Sequence, residues 1–171
     1  EMDPENKHIK QKIDQIVSKF APASRYDYLL TEGLITPEQL QKALSASKTT
    51  KKSVEFILTQ QFRLKEADIG KSLSLFYRCP FKEFDPKAQV PIELITNLKK
   101  PFLLHDLWVP LSWGKDGVDI LIDDPWDLRK TGLIRALTTT KNTNTCFGIT
   151  VDIEKLIALF FDTNPQETTQ D

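Results

Sequence analysis

The chain has 171 residues, 40% of them hydrophobic, and its 23 basic and 24 acidic side chains leave a formal net charge of −1. That length and apolar fraction suffice to bury a core in one domain or two small ones without staples, and the balanced charge removes any bulk electrostatic reason to expect nucleic acid as a partner. No run approaches the roughly 18 apolar residues of a membrane span, and the opening lacks the basic-then-apolar pattern of a signal peptide, so direct membrane insertion is not expected.

Asp3-Pro4-Glu5 is an N-cap followed by proline and an acid, and Ile9, Ile13, Ile16 and Phe20 then recur at helical spacing. The pattern predicts a helix from about Pro4 to Phe20, forming an arm over residues 1–23 whose other face is charged or amide. Ala21-Pro22-Ala23-Ser24 ends it.

From Tyr28 to Leu73 one unit of helix, tight turn and helix is written twice, at an offset of 29 residues. Tyr28, Leu29, Ile35, Leu40 and Leu44 fall on Ile57, Leu58, Leu64, Ile69 and Leu73. Each set places its apolar residues on one face, a stripe that needs a partner, so the two units are expected to pack together in a helical subdomain over residues 24–78. In the first unit Gly33 suits a left-handed helix end, and Thr36-Pro37-Glu38-Gln39 reads as a capping box with proline at the first helical position. The second unit has Phe62 and Lys65 in the Gly33 and Thr36 slots, so it must lean on packing.

At Cys79-Pro80-Phe81-Lys82-Glu83-Phe84-Asp85-Pro86 the helical period stops, and residues 79–162 read as a second, small α/β subdomain. A short helix is expected over Pro91–Leu98, then strands over Phe102–Trp113 and Val118–Ile122 joined by Gly114-Lys115-Asp116-Gly117. Asp124-Pro125-Trp126-Asp127 opens a helix to about Leu137, a strand follows near Cys146–Val151, and a well-buried helix over Asp152–Phe161 closes the subdomain. The polar, proline-interrupted residues 163–171 look like a linker. The expected fold class is α+β: a helical first subdomain, then a sheet of three to four strands with two to three helices.

Catalytic chemistry is hard to find. There is no Gly-rich phosphate loop, and Cys79 and Cys146 lack metal-ligand spacing and read as reduced structural thiols. His8 and His105 fall in different predicted subdomains without an evident partner, the simplest readings being a surface and a strand histidine. Asp123, Asp124 and Asp127 offer hard oxygen ligands, but capping and the helix dipole already account for carboxylates at a helix start. Lys48-Thr49-Thr50-Lys51-Lys52 is either a solvated turn or a contact for a phosphate or an acidic face. Trp108, Trp113 and Trp126 read as core or rim. No cofactor or metal is expected.

The segment Leu29-Leu30-Thr31-Glu32-Gly33-Leu34-Ile35-Thr36-Pro37-Glu38-Gln39-Leu40, with its repeat, is similar to the tandem unit of the N-terminal domain of type II secretion and type IV pilus assembly ATPases. The resemblance continues through Phe76–Phe81 and Ile120–Leu128 and covers most of residues 24–161. It implies a non-catalytic docking or regulatory module at the amino end of a hexameric motor. The ATPase core would lie beyond Asp171, and the partner would be the cytoplasmic domain of an inner-membrane secretion platform protein. The chain would then be cytoplasmic and peripheral to that membrane through its partner. Candidate partner contacts are Lys10, Asp14, Lys51 and Lys52, since charged rims set on-rate and register.

Some members of the wider family bind cyclic di-GMP through the tandem unit, each copy starting Arg-Leu-Gly and ending near a Gln. The corresponding starts here are Ser24-Arg25-Tyr26 and Ser53-Val54-Glu55, and the end slots hold Ser47 and Phe76. Neither copy has the arginine in register. Arg25 lies one position late and Lys52 one early, which makes them the candidate ligand-binding residues for the alternative function, a cyclic di-GMP sensor that controls the motor. Tyr26 and Glu55 stand where a small residue would admit the ligand, and the expectation is no binding at micromolar concentration.

Overall fold

The computed structural model describes residues 7–9 and 24–162. Lys7–Ile9 are helical, whereas the rest of the expected Pro4–Phe20 helix, with Lys10 and Asp14, and the tail from 163 lie outside the described residues.

The tandem unit is present as α1 (Asp27–Thr31) with α2 (Pro37–Thr50), then α3 (Val54–Gln60) with α4 (Glu66–Tyr77). In the first copy Gly33 turns at φ +67°. Thr36 Oγ1 accepts from the Gln39 amide at 3.2 Å, and Gln39 Oε1 accepts from the Thr36 amide at 3.0 Å, which completes the capping box. In the second copy Ser53 caps α3, accepting from the Phe56 amide at 3.1 Å, but Lys65 gives α4 no side-chain cap. The left-handed residue there is Arg63, at φ 55°, one place past the slot equivalent to Gly33. The turns still close alike: Ile35 donates its amide to the Leu29 carbonyl, as Leu64 does to that of Leu58.

The units share one core of Tyr26, Leu29, Ile35, Ala43, Ile57, Leu58, Leu64, Ile69, Leu73 and Tyr77. The first stripe is narrower than its spacing suggested. Ala43 is fully buried at the helix crossing, and Leu40 and Leu44 are only partly covered. At the position equivalent to Ala43, the buried Ser72 satisfies its hydroxyl on the Arg25 carbonyl at 2.6 Å.

Beyond Pro80 come α5 (Ile92–Ile95), α6 (Lys100–Asp106), β1 (Trp108–Trp113), β2 (Val118–Ile122), α7 (Leu128–Leu137), β3 (Thr143–Phe147) and α8 (Thr150–Asp162). The sheet runs β1-β2-β3, with β1 antiparallel and β3 parallel to β2. The class is α+β, as expected. Three expectations need correction. Residues 79–162 hold four helices rather than two to three, because the apolar segment before β1 folds as α6. The long strand over Phe102–Trp113 is half helix: Pro101 lies in the first turn of α6, and Leu107 at φ 55° turns the chain into β1. Its apolar run has no period to separate helix from strand, and the proline at the helix start was the signal that should have decided it. The third strand ends at Phe147 rather than Val151, because Thr150 already opens α8. A second core packs Trp108, Val109, Ile120, Leu121, Ile122 and Ile134 with Ile153, Leu156, Ile157 and Phe160 of α8.

The two cores are joined by aromatic side chains. Phe147, at the end of β3, belongs to the helical core, stacking on Tyr77 at 5.4 Å and on Phe81 at 5.8 Å between ring centres. Its backbone bonds the segment after Cys79, donating to the Pro80 carbonyl and accepting from the Lys82 amide. The Phe81 ring lies directly on Gly70 of α4, where a Cβ would have no room. Cys79 and Cys146 are free thiols, and burial pushes Cys79 up to about 11 and raises Cys146 as well.

Candidate functional site

Pairing of Ile122 with Phe147 brings the carboxyl ends of the parallel strands β2 and β3 side by side, so Asp123-Asp124 and Gly148-Ile149-Thr150 emerge at one edge. Facing them are the starts of α1 and α3 and the end of α4. Between these elements lies a cleft of about 270 Å³, with Arg25, Tyr26, Glu55, Tyr77, Asp123 and Asp124 among its lining residues.

Arg25 is held by its backbone through Ser72, and its guanidinium lies over the Tyr77 ring, 5.6 Å from the centroid. Tyr26 donates its hydroxyl to Glu55 Oε1 at 2.8 Å, so equivalent positions of the two copies bond to each other in the cleft lining. Burial, and then the Glu55 charge, pushes the Tyr26 phenol far above its ordinary value. Burial also takes Tyr77 up to about 12, against the opposing pull of Arg25. On the sheet side, Asp123 pairs with Lys130 at 2.7 Å, and Asp124 accepts from the Trp126 amide at 3.1 Å. Arg25 therefore faces Glu55 and Asp124 with Asp123 already paired, which leaves the lining net acidic.

Of the two candidate nucleotide ligands, the structure brings only Arg25 to this cleft. Lys52 is exposed, with its ammonium 5.5 Å from the Phe56 ring centre, and Lys51 is the exposed left-handed cap of α2. The end slots also turn elsewhere: Ser47 donates to the Lys52 carbonyl at 2.6 Å, and Phe76 packs on Trp126 at 4.6 Å. Asp127, not Asp124, is the N-cap of α7, and it accepts from the amides of Lys130 and Arg129, bonds that hold its carboxyl below the ordinary range. Among the described residues no group of three metal-ligating side chains exists. His105 lies on a helix rather than a strand, exposed, 3.0 Å from Asp106. Trp108 is core, whereas Trp113 and Trp126 are exposed. The contribution of Tyr77 and Thr150 to the cleft had no local signal, but the Tyr26–Glu55 bond was readable, since the two residues are one repeat offset apart.

No family model matches the sequence, and no curated protein matches it. Solved structures do match by fold. MshE with cyclic di-GMP superposes with a TM-score of 0.62 at 19% identity, covering 82% of this chain and 100% of that one. The N-terminal domain of XpsE superposes with a TM-score of 0.53 at 18% identity, over 80% of this chain and 92% of that one. The chain has the fold of these domains, which is the fold the tandem segment implied. Among the described residues no helix is long and apolar enough to cross a membrane.

Proposed function

We propose that the chain is a non-catalytic docking and regulatory domain at the amino end of a secretion or pilus motor ATPase, linking the motor to the cytoplasmic face of an inner-membrane platform. The observation that carries this reading is the fold likeness to the XpsE N-terminal domain over 92% of that domain, together with the doubled segment at 29–40. In this reading residues 24–78 and 79–162 are its two subdomains, residues 1–23 a docking arm and residues 163–171 the connection to an ATPase core. The test is capture of the cognate platform protein's cytoplasmic domain by the purified chain. Capture should weaken on charge reversal at Lys51 and Lys52 in the turn after α2, or at Lys10 and Asp14 in the arm; no capture by the unaltered chain overturns the reading.

A cyclic di-GMP sensor is the second reading, favoured by MshE having been solved with that nucleotide. The cleft opposes it here. Ser24 and Ser53 stand where binding relatives have arginine, which removes two charge-assisted contacts of about 1.5 to 3 kcal/mol each. Together that is roughly two to four powers of ten in affinity. The Glu55 carboxylate, held by the Tyr26 hydroxyl, also lines the cleft and adds negative charge where a phosphate would bind. Isothermal titration should show no binding at micromolar concentration. A dissociation constant below about 10 μM, lost in Arg25→Ala with Lys52→Ala, would put the sensor reading first.

A further inference from the structure

Docking makes no use of a pair of carboxyl groups at the junction of the two cores. Glu66 is the first residue of α4, in the helical half, and Asp152 is in the first turn of α8, in the sheet half. Asp152 is only 4% exposed. Glu66 Oε1 and Asp152 Oδ2 are both buried, and neither meets a donor among the described residues. Both side chains line one small recess, where Asp152 acts on the Glu66 carboxyl more strongly than any other group. Two carboxylate oxygens are both acceptors, so they bond only when one carries a proton.

The surroundings sharpen this. A recess of about 160 Å³ beside the pair is lined by Glu55, Thr59 and Gln60 from α3 and by Lys155 from α8. Glu83, from the segment after Pro80, adds a further negative charge, and Lys155 is the cation that opposes it. The ammonium of Lys155 also lies 6.0 Å from the Phe84 ring centre. Helix N-termini favour carboxylates, but four acids, Glu55, Glu66, Glu83 and Asp152, against one lysine leave the pair short of positive charge.

We propose that Glu66 and Asp152 share a single proton and act as a pH-sensitive clasp between α4 and α8, closed while the proton is held and forced apart when it leaves. The hydrogen bond to Asp152, then burial, then the charges of Asp152 and Glu83 raise the Glu66 carboxyl to about 7, with Lys155 opposing. The folded-state pKa exceeds the unfolded one. The clasp therefore stabilises fully below the ordinary glutamate pKa, and its contribution is lost as pH rises through the folded value near neutrality. Glu55 and Ile149 line both this recess and the cleft holding Arg25.

The experiment is a carboxyl-carbon NMR titration of the whole chain labelled at Glu and Asp, with thermal melts across the same pH range. One of the two carboxyl groups should titrate near neutral pH, and Asp152→Asn should lower the Glu66 midpoint by at least about one unit. The melting temperature should fall progressively from about pH 4.5 to about pH 7 and level off above that, and Glu66→Gln, which keeps the shape and supplies a donor to Asp152, should flatten that fall. If Asp152→Asn does not fold, the titration of the unaltered chain decides alone. Both carboxyls titrating below about pH 5, or an unchanged pH slope in Glu66→Gln, overturns the proposal.

Discussion

In the first copy of the helical unit, Gly33 turns at φ +67° and Thr36 closes a full capping box; in the second, Arg63 takes φ 55° and Lys65 caps nothing. Burial runs the other way. Ile57, Leu58, Ile69 and Leu73 are almost completely covered in the second copy, whereas Tyr28, Leu40 and Leu44 of the first remain partly open. A cap contributes about 1 kcal/mol, and a fully buried aliphatic side chain about 1.5 to 3 kcal/mol. The second copy can therefore dispense with local signals because tertiary contacts outweigh them. It also carries the contacts to the sheet half, through Gly70 on Phe81, Tyr77 on Phe147 and Glu66 facing Asp152.

The largest expected effect tests that asymmetry directly. Leu73→Ala empties a site 1% exposed and should cost about 2 to 5 kcal/mol in chemical denaturation. Leu44→Ala, at the equivalent but half-covered position, should cost less than about half as much. Equal losses would mean that the copies are equivalent after all.

Next in size is the contact that only the second copy makes. Gly70→Ala drives a Cβ into the Phe81 ring and should cost about 1 to 3 kcal/mol. Gln41→Ala, one repeat earlier on an exposed helix face, should be close to neutral. Removing the ring with Phe81→Ala in the Gly70→Ala background should recover part of the loss, and the double-mutant cycle measures how much. An additive pair would show that the ring and the glycine do not act on each other.

These contrasts also separate what the residues disclosed from what they could not. The repeat offset, the Thr36 cap, the capping Asp127 region and the β1–β2 hairpin each rest on chemistry within a few residues, and each was legible. Residues Phe102 to Asp106 were misassigned because an apolar run without period fits strand and helix alike. Arg25, a candidate ligand-binding residue from its place at the start of the first copy, does line the cleft. Lys52 was not separable from it, because one step of sequence at a loop decides whether a side chain enters the cleft or lies over Phe56. The Phe81–Gly70 contact and the Glu66–Asp152 pair join residues from different halves. Only assembly of the fold brings them together.

The smallest effect bears on the local side of the comparison. Thr36→Ala removes the acceptor for the Gln39 amide and leaves Gln39 reaching back to a helix start that is no longer closed, so the loss should be about 1 kcal/mol. The converse substitution asks whether the second copy lacks a cap because it has no use for one. Lys65 already has an extended backbone, φ −72° and ψ 137°, like that of Thr36. A serine there needs no rearrangement to accept from the amide of Asp68, three residues on. Lys65→Ser should therefore raise stability by no more than about 0.5 kcal/mol, because the Asp68 amide already donates to the Lys65 carbonyl at 3.0 Å and the serine hydroxyl would add only a better-placed acceptor. Denaturation midpoints of the two variants, read at unchanged slope, settle the matter. If Lys65→Ser gains nothing while Thr36→Ala still loses its share, the start of α4 is already satisfied by packing, and the second copy is independent of local capping rather than merely lacking it.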